Sequence, residues 1–213
     1  LTLAQAGFDI VVHYRSSNDA AQAVADEVRA LGRRAETVGG DLSDEARVAR
    51  IVPDAVAAIG PLGVLINNAS VFEDDRVGSL ERETWDAHME TNLRAPIVLS
   101  EAFAAQAADG SCIVNLLDQR VLKPDPRFIS YALSRNGLWW ATRTLAQALA
   151  VPVVATVATG GEGMGALTDA LAHAAIPAPL LRYDEALETQ IAAVEALILW
   201  LLYPSAAADP THC

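Results

Sequence analysis

Short apolar runs alternate along this chain with longer stretches in which apolar residues recur every three or four positions. The runs fall at 9–14 (with Ile10, Val11 and Val12), 64–66, 111–117 and 151–157, and 35–38 reads as a weak strand between the first two. Runs that are apolar throughout, rather than alternating, are strands buried on both faces. The 3.6-residue period predicts helices over 18–31, 43–59, 82–107, 131–149 and 187–202. Val24, Val28 and Leu31 form the first stripe, and Val48, Ile51, Val52 and Val56 the second. Asn18 can cap the first of these helices, Gly32 stops it, and Pro53 should kink or interrupt the next. Residues 1–7 read as the end of a helix stopped by Gly7. Strands that alternate with helices predict an α/β fold, a parallel sheet covered on both faces. No repeat, low-complexity tract or linker divides the chain, so residues 1–213 read as a single domain.

At 213 residues and 52% hydrophobic content, the chain can bury one substantial core. Its net charge of −12 argues against nucleic acid or an anionic membrane as main partner. A small phosphorylated ligand needs only a few local donors and stays compatible with that charge. The most apolar run, 191–203, carries Glu195 and is too short to span a bilayer, so it reads as a core-facing helix. No signal peptide is visible, and Cys112 and Cys213 read as plain thiols in a reducing compartment, which places the protein in the cytoplasm. The four histidines, His13, His88, His173 and His212, show no ligand spacing, so no metal is expected and each reads as a surface or packing residue.

In open parallel sheets ligands gather at the carboxyl ends of the strands. The unusual polar residues fall at those ends: Arg15, Ser16 and Ser17 after one strand, Asp41 after the next, Asn67 to Ser70 after the third and Asp118 after the fourth. Tyr131 and Arg135 lie one turn apart on one face of the helix that follows. A phenol beside a fixed cation has its anion stabilised and becomes a proton donor for a carbonyl or imine that is receiving a hydride.

These residues resemble the short-chain dehydrogenase/reductase family, and most of all its pteridine reductase branch. NNAS (Asn67, Asn68, Ala69, Ser70) resembles the family's NNAG turn, ETNLRAP (90–96) places Asn92 at the family's helix asparagine, and YALSR (131–135) resembles YxxxK. Aspartate at Asp118, where most members have serine, and PLLR (179–182) before a last helix add to the likeness. The resemblance implies a Rossmann-like doubly wound sheet and an NADPH/NADP-dependent reductase of a pterin-like or related cyclic C=N or C=O substrate. It implies Tyr131 as proton donor, Arg135 in the lysine position, Asn92 holding a water in the proton path, and Asp118 orienting the substrate. Phe72 matches the aromatic that stacks a pterin on the nicotinamide, although a core phenylalanine accounts for it equally well. Asn68, Ala69 and Ser70, Asp41 with Leu42, and Gly160 would lie along the cofactor. A guanidinium and two hydroxyls at Arg15, Ser16 and Ser17 suit a 2′-phosphate better than a free ribose.

The chain also departs from that pattern. The family's opening strand with its glycine-rich loop and its last strand have no counterparts here, and Arg135 replaces the lysine of YxxxK. Without the opening strand, a gap is expected between two half-sheets; residues 151–165, which have a strand–glycine–helix form, are one candidate to fill it. GEGMGA (161–166) fits a dinucleotide fingerprint, but in register with the family it falls in the substrate loop. The alternatives are a catalytically impaired binding or partner subunit, and a carbonyl reductase for a sugar or acyl ketone. Trp139 and Trp140 are adjacent and cannot both face one core stripe, so a homo-oligomer (dimer or tetramer) is expected through the long helices.

Overall fold

The computed structural model pairs every neighbouring strand among the described residues in parallel, and helices alternate with the strands along the chain. It describes residues 1–157 apart from 122, 124, 150 and 152. The order is α1 (Thr2–Gln5), β1 (Ile10–Tyr14), α2 (Asn18–Ala30), β2 (Ala35–Gly39), α3 (Glu45–Ile59), β3 (Val64–Asn67), α4 (Arg82–Met89), α5 (Ala95–Ala104), β4 (Cys112–Leu117), α6 (Ile129–Ala148) and β5 (Val153–Val157). The expected helix over 187–202, the glycine-rich stretch 160–165 with Gly160, and the segment 179–182 lie outside the described residues.

Three local expectations are corrected. The buried stripe of α2 is Ala21, Ala25 and Val28, whereas Val24 and Leu31 are exposed. Small side chains let this helix lie close on β1 and β2, so alanine spacing and not residue size marks the inner face. Asn18 is the first helical residue and Ser17 precedes it without a side-chain cap bond. Pro53 does not break α3, which runs through it. Both Pro53 and Ala49, whose carbonyl loses its partner, are on the exposed side, so water satisfies the freed group. Asp44 starts that helix by accepting from the N–H groups of Ala46 and Arg47, a cap that contributes about 1 kcal/mol.

The stretch 82–107 is not one regular helix. A π turn, Glu90–Arg94, separates α4 from α5, and the N–H of Ala95 reaches back five residues to the carbonyl of Glu90. The cause is in the sequence: Pro96 has no N–H to offer the carbonyl of Asn92, four residues earlier. The extra residue in the turn carries Asn92 inward, where it is fully buried.

The strands form two sheets, β1–β2 and β3–β4–β5. Among the described residues β1 pairs only with β2, and β3 only with β4. β5 lies beside β4 from Ile113↔Val153 to Leu117↔Val157. It therefore does not fill the expected gap, because its backbone is already committed to the far side of β4. Between the facing edges of β1 and β3 runs an apolar groove of about 370 Å³, lined by Leu3, Phe8, Val11, Ile51, Leu62 and Ile66 among others. The groove explains why β1, expected to be buried, is only half-buried along its length. The two sheets are joined by an apolar cluster of Val38, Leu42, Val48, Ile51, Val52, Ala55, Ala95 and Leu99, which packs α3 on α5. No helix of the described residues is long and apolar enough to cross a membrane.

Candidate active site

The carboxyl end of β4 and the first turns of α6 meet at one point. The inner stripe of α6 is Tyr131, Ser134, Arg135, Leu138, Thr142 and Leu145, all buried. The lower part of that stripe is core; its upper part is the site. The tie between them is a polar ladder across the sheet. Asn67 on β3 donates to Asn115 on β4 (2.8 Å), and Asn115 donates to Thr142 on α6 (2.9 Å). Buried amides cost stability unless paired, so this ladder fixes the register of both strands against α6.

Asp118 follows β4 directly. Its Oδ1 accepts the Arg120 N–H at 2.8 Å, closing the tight turn Gln119–Val121. Its Oδ2 accepts the Tyr131 hydroxyl at 3.1 Å. Arg135, one turn along α6, sits with its guanidinium 5.5 Å from the centre of the Tyr131 ring and donates from Nη1 to the Leu116 carbonyl at 3.3 Å. Its Nε is buried without a hydrogen-bond partner among the described residues. An unmet buried donor costs about 1–3 kcal/mol, a cost that an added acceptor would offset. The structure thus brings Asp118, Tyr131 and Arg135 together.

Phe72 joins them and is not a core residue: it is 47% exposed, with its ring edge-on to Tyr131 at 4.7 Å. It stacks on Phe128 at 4.6 Å, and the Arg120 guanidinium lies 4.8 Å from both rings. Neither Arg120 nor Phe128 was expected from the sequence. A cation two residues past Asp118 and an aromatic three before Tyr131 were the available signals.

The side chain of Asn92 is spent on bracing. It accepts the Val71 N–H and donates to the Val71 carbonyl, both at 2.8 Å, and donates to Ser134 at 3.3 Å. Pro96 brings no N–H to the main-chain carbonyl of Asn92, so that carbonyl, rather than the side chain, is the group of this residue that a water could use. His88, expected to be a surface or packing residue, is fully buried and hydrogen-bonded at both nitrogens.

Away from this cluster, Arg15 and Asp41 meet at the ends of β1 and β2 in an exposed ion pair of 2.8 Å through Nε. Asp41 also accepts from the Ser43 N–H and hydroxyl, and these bonds, more than Arg15, hold its carboxyl below the usual range. Ser16 and Ser17 are exposed beside Arg15, and Asn68, Ala69 and Ser70 are exposed past β3. The Leu42 side chain belongs to the core cluster, so any ligand contact there would be through its backbone.

The short chain dehydrogenase profile matches residues 1–171. Short-chain dehydrogenase/reductase FrzI of Cladobotryum sp is 32% identical over 149 residues, which cover 70% of this chain and 58% of that protein. The 3-oxoacyl-[acyl-carrier-protein] reductase FabG of Staphylococcus epidermidis is 27% identical over 206 residues, covering 93% and 84%. Among solved structures, FolM alternative dihydrofolate reductase 1 from Brucella suis, in complex with NADP, superimposes with a TM-score of 0.68 at 39% identity, covering 73% of this chain and 65% of that one. The chain thus spans somewhat under two thirds of the length of FrzI and FolM. With the parallel α/β fold and the family's tyrosine helix in place, this chain belongs to the short-chain dehydrogenase family.

Proposed function

We propose that the chain is the reductase of a planar cyclic C=N or C=O substrate, pterin-like in shape, with NADPH as the reductant. The observation that carries the reading is the Tyr131 hydroxyl bonded to Asp118 Oδ2 at 3.1 Å with Phe72 edge-on beside it. Phe72 offers a half-exposed aromatic face to a flat ring, and Asp118 offers a carboxylate to ring N–H groups. FolM, similar to this chain at 39% identity, is an alternative dihydrofolate reductase in complex with NADP, which supports the same choice.

The residues present fit the cofactor. The unmet buried Nε of Arg135 needs an acceptor, and a ribose hydroxyl of the nicotinamide half would supply it. Arg15 engages Asp41 through Nε, so its terminal nitrogens can serve a 2′-phosphate, flanked by Ser16 and Ser17. When bound, the dinucleotide supplies the hydride. Tyr131 donates its proton to the substrate nitrogen or oxygen, and the resulting phenolate is stabilised by Arg135. A water on the Asn92 carbonyl would return the proton. Asn68, Ala69, Ser70 and the backbone of Leu42 would line the cofactor, and Gly160 remains a family-based assignment.

Tyr131→Phe tests this reading. It should abolish reduction of a dihydropterin, by about 10²-fold or more, while fluorescence titration still shows NADPH binding. Undiminished turnover would sink the mechanism. Copies of the chain are read as pairing through α6, where Trp140 is 69% and Leu133 46% exposed. Sedimentation of Trp140→Glu should then show a smaller species than the parent.

A further inference from the structure

Residues 71–75, between β3 and α4, are bolted at every second position. Val71 is held by Asn92 through both its N–H and its carbonyl. The Glu73 N–H donates to Nε2 of His88 at 3.1 Å. Asp75 donates its N–H to the Arg127 carbonyl (2.9 Å), accepts the Ile129 N–H on its carbonyl (3.2 Å) and accepts the Ser130 N–H on its carboxylate (2.8 Å). The alternation leaves Phe72 turned toward Tyr131. Of the three bolts, the middle one rests on an imidazole, the side chain whose ordinary titration range lies nearest neutrality.

His88 comes from α4, and its Nδ1 lies 2.6 Å from the Ser130 hydroxyl, next to Tyr131. A backbone N–H can only donate, so Nε2 must be bare. The ring proton is therefore on Nδ1, donated to Ser130. A doubly protonated ring has no lone pair for Glu73, and the bolt would open. We propose that His88 is a positioning residue for the substrate wall: as the neutral Nδ1–H tautomer it holds residues 71–75 against α6, and proton uptake releases them, and Phe72 with them.

The groups around the ring agree with a neutral resting state. Burial is the largest influence and pushes the His88 pKa below the usual imidazole value. The carboxylates of Asp75 and Glu73 favour the proton, and Arg135 on α6 opposes it. Tyr131 meets the ring edge-on at 5.8 Å. With a depressed folded-state pKa, the latch is intact at and above the ordinary histidine value and is lost as pH falls through the lower, folded one.

The kinetic consequence rests on reading Phe72 as a substrate contact; the latch itself does not. Long-range ¹H–¹⁵N spectra of the full chain report the His88 tautomer and its titration. Amide exchange, corrected for the intrinsic effect of pH, reports Glu73. The expected result is an Nδ1–H tautomer and a Glu73 protection that drops in step with His88 protonation while that of Leu138 does not. Over the same step the KM for 7,8-dihydropterin should rise about tenfold, with NADPH affinity constant. His88→Gln keeps an acceptor for Glu73 but cannot titrate, so it should flatten both curves. An Nε2–H tautomer, or Glu73 protection that ignores His88, would overturn the proposal. Absence of dihydropterin turnover at every pH, with Glu73 still tracking His88, would sink the pterin reading and support the latch alone.

Discussion

Arg135 carries a cation where the family has an ammonium, and the two groups differ in more than shape. The guanidinium is a planar fork already tied by one arm to the Leu116 carbonyl, with Nε left unmet. An ammonium is compact, with three rotatable donors, and can turn toward a ribose and a phenolate together. Arg135→Lys should therefore raise kcat/KM for NADPH about fivefold, equivalent to one hydrogen bond of about 1 kcal/mol regained. Steady-state kinetics at fixed dihydropterin check this; a fall would mean that the neighbouring structure has adapted to the fork. The spacing of Tyr131 and Arg135 was legible because both sit on one helix. His88 was not, because its partners are 15 and 42 residues away and only the packing of α4 on α6 brings them together. Arg120 was missed for a related reason: its place is set by Phe72 and Phe128, which approach one another only in the folded chain.

At the level of elements, the π turn decides where Asn92 points. The strand and helix order could be read from hydrophobic period alone, since each run is long enough to show its repeat. The turn could not, since one proline changes hydrogen bonding without changing the apolar pattern. Pro96→Ala would restore an N–H to the Asn92 carbonyl and let α4 and α5 merge into a regular helix. That removes one residue from the turn and rotates Asn92 away from Val71. Turnover should fall about tenfold while the thermal midpoint holds or rises, since the helix gains a backbone bond and loses a poor helix former. Parallel calorimetry and kinetics separate the two effects; equal loss of both would mean that the proline serves packing alone. The α2 stripe shows the opposite limit of sequence reading. Large apolar residues drew attention to Val24 and Leu31, but close approach of helix to sheet selected Ala21 and Ala25.

At the scale of the whole molecule, the half-sheets of the described residues meet without a shared ladder, and side-chain packing joins them there. In a continuous parallel sheet, backbone hydrogen bonds couple every strand to the next, and loss of one disturbs all. In the described residues, β1–β2 and β3–β4–β5 communicate through the α3–α5 cluster that includes Leu42, Val48, Ile51, Ala95 and Leu99. Side-chain packing of that kind is non-directional and tolerates sliding more readily than a ladder does. Among the described residues the Arg15–Asp41 end belongs to one half-sheet and the Tyr131–Asp118 end to the other. A dinucleotide that reached from one to the other would act as a crosslink. Its binding energy would add to the side-chain packing a second tie between the two half-sheets.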